Sequence, residues 1–199
     1  MKLIFATNNL HKLEEIQAAI GDALEVISLK QAGIDIDIPE PHDTLQANAA
    51  EKSQTIHRLT GENCFSEDTG LEVEALNGEP GVHSARYAGE DKAFDKNIDK
   101  LLSKLGQETN RKARFRTVIS LIWEGQEWFF EGICEGAITY ERHGTGGFGY
   151  DPVFIPAAYT RTFAEMSLEE KNLISHRSQA ADKLVSFLQN QVSQAPKVK

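Results

Sequence analysis

The chain has 199 residues, room for one substantial core or for two small lobes that share one. Its 30 acidic and 21 basic side chains leave a net charge of −9, which excludes a general attraction for nucleic acid or an anionic membrane, so any phosphate has to be met in a local basic pocket. Cys64 and Cys134 have no zinc or redox-motif spacing, and the apolar run in MKLIFATNN is too short for a signal peptide or membrane span; reduced thiols and a cytoplasmic setting are expected.

In chain order, Lys2 to Thr7 reads as a buried strand. Asn8 or Asn9 then stands where a helix cap is wanted, ahead of the apolar positions Leu10, Leu13, Ile16 and Ile20. Ala23 to Leu29 is a second strand, so the chain opens β-α-β. Thr44 to Leu59 suits a second helix. Phe94, Ile98, Leu101, Leu102 and Leu105 mark a third, which ends at Gly106. The pattern then changes: RFRTVISLIW and EWFFEGIC are β-rich runs joined by a Glu-Gly-Gln turn, which predicts an antiparallel hairpin. Ala181, Leu184, Val185 and Leu188 carry a C-terminal helix, and residues 193–199 read as a tail beyond a domain of residues 1–192. No internal repeat is visible. These elements predict an α/β fold with a mixed sheet, a parallel half followed by a hairpin half, and a cleft between two lobes.

Several segments could carry chemistry, and each also has a plain structural reading. TNNLHK joins the first strand to the first helix, where free N–H groups and the helix dipole favour an anion and Lys12 can reach a phosphate; equally, it is a helix cap beside a solvated lysine. Glu40 lies between two prolines, a stiff loop carboxylate suited to a metal or to nothing in particular. SEDTGLEV places Glu67 and Asp68 at the end of a short strand that turns at Thr69 and Gly70. Adjacent carboxylates there repel each other unless a cation compensates, and magnesium takes such oxygens together with water and phosphate. Arg86 in GEPGVHSARY can pair with a carboxylate or a phosphate. Lys171, His176 and Arg177 gather at the start of the last helix, capped by Ser175, where cations oppose the dipole. GTGGFGYDP holds Phe148 and Asp151 among four glycines, at a cost in backbone entropy. Together these parts suit a metal-dependent enzyme acting on a phosphorylated ligand with a flat ring.

Taken in order, TNNLHK, IPEPHDTLQANAAEK, SEDTGLEV, GEPGVHSARY and GTGGFGYDPVF followed by EEKNLISHR resemble the inosine/xanthosine triphosphate pyrophosphatase family over nearly the whole chain. The resemblance implies an elongated, two-lobed α/β fold, a mixed β-sheet flanked by helices with the active site in the central cleft, and a homodimer. It implies hydrolysis of deaminated purine nucleoside triphosphates (ITP, dITP, XTP) to the monophosphate and pyrophosphate. The segment Thr7, Asn8, Asn9, Leu10, His11 and Lys12 would hold substrate, with Thr7, Asn9 and Lys12 on the triphosphate and Lys52 nearby. Glu40 and Asp68 would bind Mg²⁺, Asp68 would accept the proton of the attacking water, and Thr69 would touch the substrate. Phe148 would stack on the base, enclosed by Gly149, Tyr150, Asp151, Lys171, His176 and Arg177.

The chain departs from the family pattern where Asn8 stands for a frequent glycine and Glu67-Asp68-Thr69 for a frequent Asp-Asp-Ser. Ala47 replaces a family glutamate, so that position receives no role. Donors from His176 and Arg177 aimed at the purine six-position would accept a carbonyl and reject an amino group by roughly 10⁴–10⁵. Two alternatives are a nucleotide-binding module without catalysis, disfavoured by the presence of Asp68 and Glu40, and a pyrophosphatase for pyrimidine or modified nucleotides, disfavoured by the glycine loop with its SHR partner. A nucleic-acid binder is the weakest reading at this charge.

Overall fold

The computed structural model of the chain describes residues 2–194. Strand β1 (Lys2–Phe5) leads into helix α1 (Leu10–Ile20), and β2 (Glu25–Ser28) returns parallel to β1. Asn9 caps α1, its side chain accepting the Lys12 N–H at 3.2 Å. Thr44 caps α2 (Leu45–Thr60) in the same way. Strand β3 (Cys64–Val73) runs parallel to β1 and antiparallel to β5 (Lys112–Trp123), with the two-residue β4 (Pro80–Gly81) paired to its far end. Helix α3 (Phe94–Leu105) closes on Gly106. Glu124 and Gly125, both at positive φ, make the tight turn into β6 (Gln126–Ile138), as the hairpin pattern predicts. The periodicity does not reveal β7 (Phe154–Pro156) or α4 (Leu168–Asn172), each too short to show one; α5 (His176–Gln194) follows. Strand order is β2-β1-β3-β5-β6-β7, a mixed sheet as expected.

Hydrophobic cores form at both ends of the long strands. At one end Leu71 and Val73 of β3, Ala113 and Phe115 of β5 and Cys134 and Ile138 of β6 pack with Ile98, Leu101 and Leu105 of α3. At the other end, Phe65, Ile119 and Leu121 pack under α1 and α5, while Cys64, Ile122 and Ile56 of α2 fill the opposite face. The two lobes therefore divide across the length of shared strands, not between a parallel half and a hairpin half.

Two further expectations change. Glu67 and Asp68 lie in the middle of one continuous strand. Gly70 makes no turn there; its missing side chain leaves room for the Gly81 carbonyl, which a Cβ would meet at 2.6 Å. Leu10, assigned to the apolar stripe of α1, is 67% exposed, because the stripe packs on the core only from Leu13, Ile16 and Ile20. The expected tail lies largely outside the described residues, and α5 continues to Gln194.

Candidate active site

β1 pairs with β3 only through Ile4 and Phe5, and β4 meets β3 only from Leu71. Between these, from Ser66 to Gly70, the edge of β3 away from β5 has no strand beside it among the described residues. A cavity of about 490 Å³ opens at that edge, beyond the carboxyl end of β1, where open α/β sheets place their ligands. Thr7, Asn8, Asn9 and Lys12 line it from the β1–α1 junction, and Glu40, Lys52, Asp68 and Thr69 line it too. Phe148, Gly149, Tyr150, Asp151, Lys171, His176 and Arg177 line the remaining side. Of the sequence-derived positions, Leu10 and His11 stay outside this lining. They follow the cap of α1 on its exposed side, and His11 instead stacks on Phe148 with ring centroids 5.1 Å apart and 14° between planes.

At the carboxylate end, Lys52 Nζ lies 2.5 Å from Glu40 Oε1 and 3.5 Å from Asp68 Oδ1, bridging the two acids. Arg86 approaches Glu40 from the other side at 3.7 Å. Asp68 Oδ2 is buried and has no hydrogen-bond partner. Burial, reinforced by Glu40, holds the Asp68 carboxyl above the usual range against the pull of Lys52 and Lys12. Burial would also raise Glu40, but Lys52, Lys12 and Arg86 prevail and hold it low. The pair thus splits into a firmly ionised acid and a more basic one.

Glu67 does not belong to this pair. Side chains alternate along a strand, so Asp68 and Ser66 face α2, where Ser66 bonds the Ala49 carbonyl, while Glu67 faces α1 and α5. The predicted repulsion between neighbouring carboxylates is absent because they point to opposite faces of the sheet. Glu67 takes hydrogen bonds from Arg177 at 2.9–3.0 Å and lies 3.3 Å from Lys12 Nζ. Burial works against its charge, but Arg177 and Lys12 hold its pKa down to about 2.

A chain of buried ion pairs continues from there. Arg177 also bonds Glu15, Glu15 accepts from Lys171 at 2.6 Å, and Lys171 bonds Asp151 at 2.6 Å. Asp151 in turn accepts the Phe148 N–H at 2.9 Å and so fixes the loop that carries the ring. Gly147 is required here: φ is +67°, and a Cβ would strike the Asp151 carboxylate at 2.0 Å. His176 is stacked on Phe115 at 4.6 Å, with Nδ1 buried and unpartnered. Burial, with Arg177 and Lys171 nearby, lowers its pKa well below the usual value, so the imidazole is neutral. The cations at the start of α5 thus cost little against the dipole: one is neutral and the other is paired twice. Ser175 caps α5 as expected, accepting the Ser178 N–H at 3.1 Å.

Sequence reasoning missed Glu15, one of two adjacent glutamates on α1, which reads as solvated; only its position against Lys171 and Arg177 reveals it. Phe94 and Asn97 of α3 also line the cavity. Their spacing shows only a helix face.

The Ham1 family profile matches residues 3–187. This chain belongs to the Ham1 family. The Ham1-family chain is 55% identical to a dITP/XTP pyrophosphatase of Porphyromonas gingivalis, covering 94% of this chain and 97% of that one. It is 49% identical to a dITP/XTP pyrophosphatase of Flavobacterium johnsoniae, covering 94% and 98%. The Staphylococcus aureus Ham1 protein superimposes with a TM-score of 0.86 at 39% identity, over 96% of this Ham1-family chain and all of that one.

Proposed function

We propose that this Ham1-family protein is a nucleoside triphosphate pyrophosphohydrolase that converts ITP, dITP and XTP to the monophosphate and pyrophosphate, clearing them from the nucleotide pool. The observation that carries the reading is that one cavity is lined both by Lys12, Lys52 and the buried, unpartnered Asp68 and by Phe148, neutral His176 and Arg177. The relatives named dITP/XTP pyrophosphatase support the same substrates.

Asp68 and Glu40 fit a magnesium ion. Both line the cavity, Asp68 keeps a buried oxygen with no partner, and a single lysine spans the two carboxylates. No cluster of three or more metal-binding side chains occurs among the described residues, which suits an ion that draws its other ligands from water and phosphate. When bound, magnesium supplies charge neutralisation and polarisation at the phosphates. Asp68 accepts the proton of the water whose oxygen bonds the α-phosphorus. The bond from the α-phosphorus to the bridging oxygen breaks and pyrophosphate departs, its charge balanced by Lys12 and Lys52. At the base, a neutral imidazole offers one N–H and one acceptor nitrogen, and Arg177 offers only donors. A carbonyl at the six-position satisfies such donors and an amino group does not.

Residence in the cytoplasm and assembly as a homodimer belong to the same proposal. Both cysteines are free and buried, which suits a reducing compartment. No helix among the described residues is long and apolar enough to cross a membrane. β7 covers the β6 edge only from Gly136 to Ile138, and Trp128 and Phe129 are exposed on the uncovered stretch, a surface that a second copy would shield. Light scattering tests the dimer.

The deciding experiment measures pyrophosphate release from inosine, xanthosine, adenosine, guanosine and thymidine triphosphates, each with and without magnesium. Rapid release confined to inosine and xanthosine, in magnesium only, is expected. Nucleotide binding without release would make this a binding module.

A further inference from the structure

Glu67 has a fully buried side chain, and both of its oxygens are committed. Oε2 receives Arg177 Nε at 2.9 Å; Oε1 receives Nε at 3.0 Å and Nη2 at 2.9 Å, and lies 3.3 Å from Lys12 Nζ. The other Arg177 contacts are Nη2 to Thr69 Oγ1 at 3.3 Å and Nη1 to Glu15. A guanidinium has five N–H donors in a rigid plane. Nε–H, both Nη2 hydrogens and one Nη1 hydrogen are therefore engaged by the protein, leaving one Nη1 hydrogen for a ligand in the cavity that Arg177 lines. Glu67 also touches the lysine at the phosphate end.

We propose, resting on the nucleotide reading above, that Glu67 is a specificity-determining positioning residue and not a metal ligand. It fixes the Arg177 plane so that the single remaining donor meets the carbonyl of a deaminated base, and it ties Lys12 to the same carboxylate. The base end and the phosphate end are thereby presented by one rigid ion-paired unit, on the face of β3 opposite Asp68. An arginine no longer held in that plane would still offer only donors but would seldom present one at the six-position, and the preference for a carbonyl over an amino group there would shrink.

The test is calorimetric binding of inosine monophosphate and adenosine monophosphate without divalent metal, for the unmodified protein, E67Q and E67D, with folding checked by thermal melting. In E67Q, affinity for inosine monophosphate should fall roughly ten- to hundredfold, the value of one charge-assisted hydrogen bond, with adenosine monophosphate nearly unchanged. E67D, which keeps the charge but withdraws it by one methylene, should lower the same ratio by less, and it decides the matter if E67Q does not fold. The magnesium concentration for half-maximal turnover should stay within about threefold, since Glu67 bonds Arg177 and Lys12 but neither Glu40 nor Asp68, whereas loss of a ligand or of a ligand's own partner costs tenfold or more. A preserved inosine-to-adenosine ratio in a folded variant overturns the inference, and so does a tenfold rise in the magnesium requirement. If the unmodified protein itself fails to distinguish the two monophosphates, the proposed function is what falls.

Discussion

Gly132 on β6 is where the first turn of α5 comes closest to the sheet. A Cβ there would lie 1.9 Å from the His176 carbonyl oxygen and 2.7 Å from the Ala180 nitrogen, where ordinary contact begins at 3.4 Å. Both obstacles are backbone, so Gly132→Ala has to push the helix start away by about 1.5 Å, the gap between the contact made and the contact allowed. That displacement carries His176 and Arg177 with it, against the bonds that tie Arg177 to Glu67 and Glu15. Overpacking of this kind costs about 1–3 kcal/mol, a thermal midpoint lower by several degrees in a chain of this size. A misplacement of about 1 Å at a binding group costs on the order of a hundredfold in rate. The assay is kcat/KM on inosine triphosphate beside a thermal melt. Gly136→Ala serves as the comparison: its Cβ would meet the Ile155 oxygen at 2.3 Å, on the β7 side. It should lower the melting point while sparing far more activity. A folded Gly132→Ala protein with kcat/KM within threefold of the original would refute the argument that this contact sets the base-recognition group in place.

The remaining predictions concern charge. Asp68→Asn should abolish most turnover, by roughly 10²–10⁴ for a lost general base, while nucleotide binding measured by calorimetry survives. Lys171→Met should destabilise the protein by about 3–5 kcal/mol, because Glu15 and Asp151 would lose a shared buried cation; urea unfolding reads this out. Acid should also destabilise the protein. Glu67 has its folded pKa depressed from 4.5 to about 2, so its contribution is fully present above 4.5, worth roughly 3 kcal/mol, and is lost as pH falls toward 2. Glu15 and Glu40 are shifted in the same direction, and Asp68 and Asp151 in the opposite one. Urea midpoints at pH 7 and pH 3 should show the net loss.

The elements governed by local rules were legible in the sequence. Asn9 and Thr44 cap the helices they precede, Gly106 ends α3, and the Glu-Gly turn closes the hairpin where the strand pattern breaks. The candidate site residues came from ordered motifs, and all of them but Leu10 and His11 line one cavity. What escaped was set by partners distant in sequence. Gly70 reads as a turn because nothing local reveals the Gly81 backbone crossing above it. Glu67 reads as half of a metal-binding pair because the strand that sends it to the opposite face was cut short in the reading. Glu15 looks like any surface glutamate until Lys171, far along the chain, is seen to bond it. The glycines of the aromatic loop read only as a cost in backbone entropy, because nothing local shows that Gly147 makes room for Asp151.

The division of the cores along shared strands bears on how a nucleotide gets in. β3 sends Phe65 into one core and Leu71 into the other, β5 does the same with Ile119 and Phe115, and β6 with Phe130 and Cys134. Rotating one lobe against the other would bend three hydrogen-bonded strands at once, a cost that jaw-like closure of a two-domain enzyme about a loop hinge does not carry. Admission and release fall instead to the segments around the rim, among them the glycine loop and the stretch bearing Glu40. Substrate range can then drift by exchanging loop residues other than Glu40, Phe148 and Asp151 while the strands that carry Glu67 and Asp68 keep their register, which makes the protein a practical scaffold for retargeting to other damaged nucleotides.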